Sequence, residues 1–180
     1  MVVAPIFLDI EASSLDSKSY PIEIAWSDHY GNIESYLINP YHVDSWLNWD
    51  MHAQKIHGIN RKLLREEGTE PRLVCDYMSK SIKDGTTIYA DGGVFDQNWI
   101  NVLFAEGTEL GVATFIVEHS DSVMLPLLTK IESDSRKRWQ LYEELKVEAR
   151  RMVNGQHRAK VDVEYLVELY KMCISISSLI

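Results

Sequence analysis

Two carboxylates lie within an apolar segment near the start of the chain. Asp9 and Glu11 occur in the sequence APIFLDIEASSL, surrounded by large apolar side chains. Because alternate residues of a strand point to the same side, both carboxylates would share one face with Phe7. An ionised carboxylate buried without a partner costs several kcal/mol, or its pKa shifts until it is protonated. We therefore expect a compensating group close to these two acids.

Two further acids lie where predicted helices begin. Asp96 follows a predicted strand at the start of a helix, and Asp162 lies early in the last helix, five residues after His157. These four acids all lie near apolar strands or helices. Although they are distant in sequence, they could therefore meet at one edge of a sheet. Carboxylate oxygens are hard ligands that suit Mg²⁺ or Mn²⁺. The pattern therefore predicts that the four acids hold divalent cations.

The elements that would position these acids alternate as in an α/β protein. Short polar links favour antiparallel pairing of the first three predicted strands, because a parallel pair needs a crossover of about a dozen residues or more. Two later strands are separated by a helix, which favours a mixed sheet of five strands, three antiparallel and then two parallel, with helices on both faces. The predicted strands cover residues 3–11, 21–27, 33–38, 86–91 and 112–117.

Capping residues and apolar spacing define the predicted helices. Asp50 is a candidate N-cap and Gly58 a candidate end for a short helix, Pro71 opens the next one, and Ser135 could cap a long one. The predicted helices cover residues 51–56, 72–82, 95–104, 135–153 and 160–172.

Length and composition predict one globular domain over residues 1–180, with 46% hydrophobic and 25% charged residues. No apolar run approaches the roughly 20 residues of a membrane-spanning helix. The first residues lack the basic start of a signal peptide. Cys75 and Cys173 have no motif spacing and are expected as free thiols. Together these features predict a cytoplasmic protein that does not enter a membrane.

The charge of the chain is uneven. A net charge of −9 argues against a protein that coats nucleic acid by charge alone. Residues 135–160, however, hold eight basic and three acidic residues, a net charge of +5 that leaves −14 for the remainder. This basic zone could receive a phosphate backbone, or it could be a solvated helix face of mixed charge.

The three acidic segments resemble the three motifs of the DEDDh 3′–5′ exonucleases, the superfamily of RNase T and the proofreading subunits of DNA polymerases. FLDIEASSL resembles the first motif, with Asp9 and Glu11, and the FD step resembles the second, with Asp96. HRAKVD resembles the third, with four residues between His157 and Asp162. The AQKIHGIN segment is also similar to a segment of the family.

The resemblance implies a ribonuclease H-like fold and a phosphodiesterase site with two Mg²⁺ or Mn²⁺ ions. Asp9 would bridge the ions, Glu11, Asp96 and Asp162 would complete the ligands, and His157 would accept the proton of the attacking water. The implied activity is 3′–5′ exonucleolysis that releases nucleoside 5′-monophosphates. The implied substrates are the 3′ ends of single-stranded DNA or RNA, or short oligonucleotides.

Four further residues are candidate substrate contacts. Leu15 could pack against a terminal base, as the equivalent loop does in the family, or make an ordinary apolar contact. His57 could touch substrate or shape a helix end. Arg158 and Lys160 could hold phosphates beside the site or form a solvated charge pair. Several relatives are homodimers, so the apolar tail CISISSLI could form an interface or pack on its own sheet.

The sequence departs from the family pattern in the segment YADGGVFD. The family often has a His-Asn pair where Asp91 and Gly92 stand, so either Asp91 or Asp96 could be the ligand. Ser14 also replaces a glycine that is common after the first motif. Two other functions stay open: a catalytically silent nucleic-acid-binding module on the same fold, and a structural domain in which the acids bind cations only to stabilise the fold.

Overall fold

The computed structural model describes residues 4–155 and 157–178. Three strands form an antiparallel ladder in the order β1-β2-β3, and two further strands, β4 and β5, pair in parallel. The strands are β1 Leu8–Ala12, β2 Pro21–Ser27, β3 Ile33–Leu37, β4 Thr87–Ala90 and β5 Ile116–His119.

The two ladders meet at the start of β1. Phe7 and Tyr89 form a parallel bridge, and the Tyr89 amide donates to the Ile6 carbonyl at 2.9 Å. The predicted strand directions, three antiparallel and two parallel, are therefore confirmed. The single continuous five-stranded sheet is not confirmed. Within the described residues, the two ladders are joined by this isolated bridge and not by a continuous ladder.

Seven α-helices are assigned in the described part of the chain. Asp50 caps the first helix by accepting from the His52 amide at 2.7 Å, and Gly58 ends it with φ 72°, as the sequence predicts. The helices are α1 Met51–His57, α2 Arg61–Glu67, α3 Pro71–Ser81, α4 Val94–Gly107, α5 Asp121–Met124, α6 Ser135–Met152 and α7 Ala159–Ser177.

Helices cover both faces of the β1–β3 ladder. Leu8 and Ile10 point into a core formed with α3 and α4, and Phe7 and Ala25 point into a second core formed with α6 and α7. Asp9 and Glu11 alternate with Leu8 and Ile10, so they lie on the α7 side. The alternation read from the sequence is therefore confirmed, and it directs both carboxylates toward the helix that carries Asp162.

Several boundaries differ from the predictions. The fifth strand begins at Ile116 and not at residue 112. Thr114 lies before the ladder, because its carbonyl accepts from the Gly85 amide in the loop before β4. Asp134, not Ser135, caps α6. The helices α2 and α5 were not predicted. The start of the first predicted strand lies outside the described residues.

The C-terminal segment continues α7. Cys173 is buried, and Ile174 and Ile176 pack against the second core. Cys75 lies in the other core, and both thiols are free. Within residues 4–155 and 157–178, no helix combines the length and apolar character needed to cross a membrane.

Candidate metal and catalytic site

Three of the predicted acids converge where β1 ends beside the first turn of α7. Asp9, Glu11 and Asp162 each offer a carboxylate oxygen, and these oxygens all lie within 4.8 Å of one another. Asp9 and Glu11 reach this point because they share one face of β1, and Asp162 reaches it from the helix packed on that face. The spacing of these oxygens is suited to a shared cation.

His157 lines the same cavity, which has a volume of about 250 Å³. The imidazole lies on the loop immediately before α7, and His157 is exposed. The backbone at His157 is left-handed, with a φ of 57°. Among the described residues, His157 is the only non-glycine residue with a positive φ. Such a backbone conformation costs on the order of 1 kcal/mol and persists only where neighbouring contacts hold it.

The carboxylates of β1 are electrostatically destabilised when they are ionised. Burial raises the pKa of Asp9 well above its usual value, and the neighbouring charges of Asp96, Asp162 and Glu11 raise it further. Burial raises the pKa of Glu11 to about 7, again with a contribution from Asp162. The cluster therefore binds either protons or cations near neutral pH.

Asp96 lies in the first turn of α4, close enough for its charge to raise the Asp9 pKa more than any other neighbour does. It is 2% exposed, burial raises its own pKa to about 7, and its Oδ2 is buried without a hydrogen-bond partner in the described part of the chain. A Cβ added to Gly92 would lie 2.6 Å from that oxygen, so Gly92 leaves room for this carboxylate.

Asp91 is the exposed alternative. It lines the cavity that holds His157, and its Oδ1 accepts from the Ser120 hydroxyl at 3.3 Å. Asp96 is absent from that lining. Both acids therefore lie near Asp9, and they differ in burial and in whether a hydrogen bond already satisfies them.

We expect Asp96→Asn to weaken Mn²⁺ binding by about tenfold or more, and Asp91→Asn to weaken it less. The reason is that Asp96 is buried with an unpaired oxygen, whereas Asp91 is exposed and hydrogen-bonded. Calorimetric titration of each variant with Mn²⁺ measures the difference. The reverse order of effects would identify Asp91 as the ligand.

The sequence analysis missed Glu23, a buried acid on β2. Glu23 lies opposite Glu11 in the β1–β2 ladder and is 3% exposed. The Arg158 guanidinium donates to both of its oxygens at 2.7–3.2 Å, and the Ala159 amide donates at 3.0 Å. The segment PIEIAW carries the same signal as the first strand, an acid within an apolar strand, and could have identified it.

The Glu23–Arg158 pair fixes the segment that precedes α7. Arg158 immediately follows His157, and its own amide donates to Asp162 Oδ2 at 3.2 Å. The ion pair therefore holds both the loop that carries His157 and the first turn that carries Asp162. Because this guanidinium is engaged with Glu23, the phosphate contact of Arg158 stays a prediction.

Arg150 is the second residue of the site, after Glu23, that the sequence analysis missed. It projects from α6, its Nη1 lies 2.5 Å from Asp162 Oδ1, and its guanidinium lies 3.8 Å from the centre of the Tyr165 ring. Its position in the basic zone gave no sign of this role. Arg150 thus compensates one of the carboxylates in the cluster.

The charges of the whole cluster fit bound divalent cations. Six carboxylates face two guanidinium groups, those of Arg150 and Arg158, so that four negative charges remain if all the acids are ionised. Hard oxygen donors with this excess of negative charge suit Mg²⁺ or Mn²⁺. The six acids are Asp9, Glu11, Glu23, Asp91, Asp96 and Asp162.

An apolar cavity of about 240 Å³ adjoins Glu11 and contains two of the predicted substrate contacts. Leu15 is 77% exposed at its edge, beside Trp99. His57 is buried; its Nδ1 accepts from the Ile59 amide at 3.0 Å, and its Nε2 is buried without a partner among the described residues. Lys160 is exposed on the first turn of α7. Leu15 and His57 thus line the same cavity, whereas Lys160 does not line it.

The stability of the metal-free protein should fall as pH rises from about 4 to about 7. Glu11 and Asp96 have raised pKa values in the folded state, so the folded protein binds their protons more tightly than the unfolded chain does. The free energy of unfolding should therefore decrease between these two pH values. Urea titrations in the presence of EDTA, at a series of pH values, measure this decrease.

Glu11→Gln provides the control for this pH dependence, because it should flatten the decrease. His57 acts in the opposite direction, since burial lowers its pKa and favours folding as pH rises. Equal slopes for wild type and Glu11→Gln would contradict the assignment.

The fold resembles that of solved structures of Exonuclease I. E. coli Exonuclease I in a zinc-bound complex with single-stranded DNA superposes with a TM-score of 0.62 at 17% identity, over 97% of this chain and 40% of that one. Exonuclease I from Methylocaldum szegediense gives 0.60 at 17% identity, over 93% and 40%. E. coli Exonuclease I with a dA16 oligonucleotide gives 0.57 at 16% identity, over 95% and 42%.

At this identity the similarity shows a shared fold. This chain spans about 40% of the length of the first two of those structures. No family model matches the chain, and no curated protein matches its sequence. The shared architecture and the acidic cluster are therefore the observations on which a function can be built.

Proposed function

We propose that this chain is a divalent-metal-dependent 3′–5′ exonuclease domain, folded as one unit over residues 1–180. The observation that carries the proposal is the convergence of the oxygens of Asp9, Glu11 and Asp162 within 4.8 Å beside His157. These residues come from two segments that are distant in sequence, and both segments resemble exonuclease motifs.

Each polar residue has a distinct task in this reaction. Asp9, Glu11 and Asp162, with Asp96, would hold two Mg²⁺ or Mn²⁺ ions. When bound, such ions neutralise the charge that develops on the phosphate oxygens. A ring nitrogen of His157 accepts the proton of the attacking water.

The substrate of this reaction is a single strand with a free 3′ end. Leu15 and His57 border an apolar cavity next to Glu11, where a terminal base would be held. Lys160, exposed on the first turn of α7, would contact a phosphate. Single-stranded DNA is the first substrate to test, because the Exonuclease I structures contain single-stranded DNA and oligonucleotides. The products are nucleoside 5′-monophosphates.

The test is degradation of a 5′-labelled single strand by the purified protein. With Mg²⁺ or Mn²⁺, the label should appear in a ladder that shortens from the 3′ end, and EDTA should stop it. His157→Ala should lower kcat by about 10²–10⁴, while His42→Ala, at an exposed histidine that does not line the cavity, should not. No shortening with either metal would refute the proposal, and matched RNA and DNA strands give the preference between them.

One observation favours a second function. The Arg150–Asp162 ion pair, at 2.5 Å, supplies a side-chain cation to the cluster in place of a metal ion. A module that keeps this pair would bind single strands without cleaving them. Binding without turnover in the presence of Mg²⁺ and Mn²⁺ would support this second function over the first.

A further inference from the structure

One flank of α6 carries basic and aromatic side chains that lead away from the acidic cavity. Arg136, Trp139, Glu143, Lys146 and Arg150 are spaced by three and four residues, so they form one stripe along the helix. The stripe is about 21 Å long at a rise of 1.5 Å per residue. We call these five residues the α6 stripe.

The stripe is continuous with the cavity at one end. Arg150 lines the cavity and binds Asp162, whereas Arg136 lies one residue after the first residue of α6. The stripe borders the buried side of the helix, where Tyr142 and Ala149 lie in the second core about a quarter turn away. The stripe is therefore a surface that begins at the reacting centre and extends outward.

The stripe is positively charged on an acidic protein. Glu143 is its single acid and pairs with Lys146 at 3.5 Å, and Arg150 pairs with Asp162, so Arg136 supplies the positive charge that no neighbouring acid offsets. Arg136 is exposed and has no ion-pair partner within the described residues. Since the chain outside residues 135–160 carries −14, an anionic polymer would be repelled elsewhere and attracted here.

The aromatic member of the stripe is suited to bases. Trp139 is 46% exposed and is fixed edge-to-face against Tyr142, with ring centres 5.9 Å apart. A held and partly exposed indole next to basic side chains is the combination by which proteins bind single strands without reading sequence. An anionic membrane or an acidic protein would use the charges but would not need the indole face.

We propose that the α6 stripe binds the part of a single-stranded nucleic acid that lies 5′ of the terminal nucleotide. This inference rests on the proposed function, because it places the 3′ end in the cavity beside Arg150. The stripe would accommodate at most about six nucleotides at the stacked spacing of 3.4 Å. Arg136 contacts a phosphate and Trp139 stacks on a base.

The length dependence of cleavage tests this path. The ratio of KM for an oligonucleotide of about a dozen nucleotides to KM for a dinucleotide should rise at least about fivefold in Trp139→Ala and in Arg136→Gln. Arg136→Gln should also reduce the dependence of log KM on log salt by about 0.7 for the lost phosphate contact. A dinucleotide is too short to reach Trp139, so the ratio isolates the stripe from the cavity.

Matched controls are Lys62→Gln and Tyr30→Ala, an exposed lysine on α2 and a tyrosine that is 87% exposed. Their ratios should equal that of the wild type. Wild-type ratios in both stripe variants would overturn the inference and leave the proposed function standing. If the wild type does not cleave at all, the proposed function fails, and anisotropy of a labelled strand decides: weaker binding by the stripe variants supports the inference, and equal binding overturns it.

Discussion

Replacing Asp9 with asparagine is expected to abolish metal-dependent cleavage while raising the melting temperature of the metal-free protein. Burial raises the pKa of Asp9 well above its usual value, and the surrounding charges of Asp96, Asp162 and Glu11 raise it further. Asparagine carries no charge and takes up no proton on folding, so the change removes either the repulsion or the protonation that otherwise offsets it. The same change removes a ligand, so kcat should fall about a thousandfold or more, the equivalent of several kcal/mol of lost transition-state stabilisation.

The two readouts have opposite signs, which makes the prediction specific. Melting in EDTA should rise by about 2–4 °C for each kcal/mol of repulsion that is relieved in a chain of this size. Added Mg²⁺ should stabilise the wild type and leave Asp9→Asn nearly unchanged. Asp44→Asn removes an exposed acid outside the cluster and should change neither quantity. A lower melting temperature for Asp9→Asn in EDTA would show that Asp9 stabilises the fold without a metal.

The acidic cluster could be predicted from sequence because strand alternation is strict. The acids of β1 share a face as a consequence of the two-residue period of a strand, and the same period places Phe7 with them. Asp162 was expected beside them because HRAKVD resembles the third exonuclease motif. For the acids of β1, local geometry alone directs the side chains.

The basic partners could not be predicted in the same way. The pairing of Arg158 with Glu23 joins residues 135 positions apart and depends on how α7 is placed over β2. Arg150 reaches Asp162 only because α6 and α7 pack side by side. Sequence spacing within one element carries no information about such contacts, whereas the buried Glu23 itself could have been recognised.

The same limit explains the differences in the fold. The fifth strand was expected at Val112, where apolar and β-branched residues begin, but it starts at Ile116 because the preceding segment bonds to the loop before β4. Tertiary hydrogen bonds decide where a ladder starts, and β-propensity does not. The short helix α2 is different, because it begins at a local cap, Asn60, which accepts from the Leu63 amide at 2.9 Å, and this cap could have been recognised from the sequence.

Arg158→Ala is expected to destabilise the protein by about 2–3 kcal/mol. Removing one member of a buried ion pair costs about 3–5 kcal/mol because the other charge is left unpaired. We expect a smaller loss here, since the Arg158 side chain is 45% exposed whereas Glu23 is 4% exposed. Urea unfolding measures the loss. Arg151→Ala breaks an exposed pair with Glu148 and should cost less than about 1 kcal/mol.

The double variant Glu23→Gln/Arg158→Gln separates the two roles of this arginine. If the pair holds the loop of His157, each single variant should lower kcat about equally, and the double variant should be no worse than either one, because both changes release the same segment. If Arg158 instead holds a phosphate, Arg158→Gln should raise KM while Glu23→Gln should not. A left-handed backbone at His157 persists only while its neighbours hold it. We therefore expect the first result, in which Glu23 acts on the reaction through Arg158, from a position where it touches no substrate.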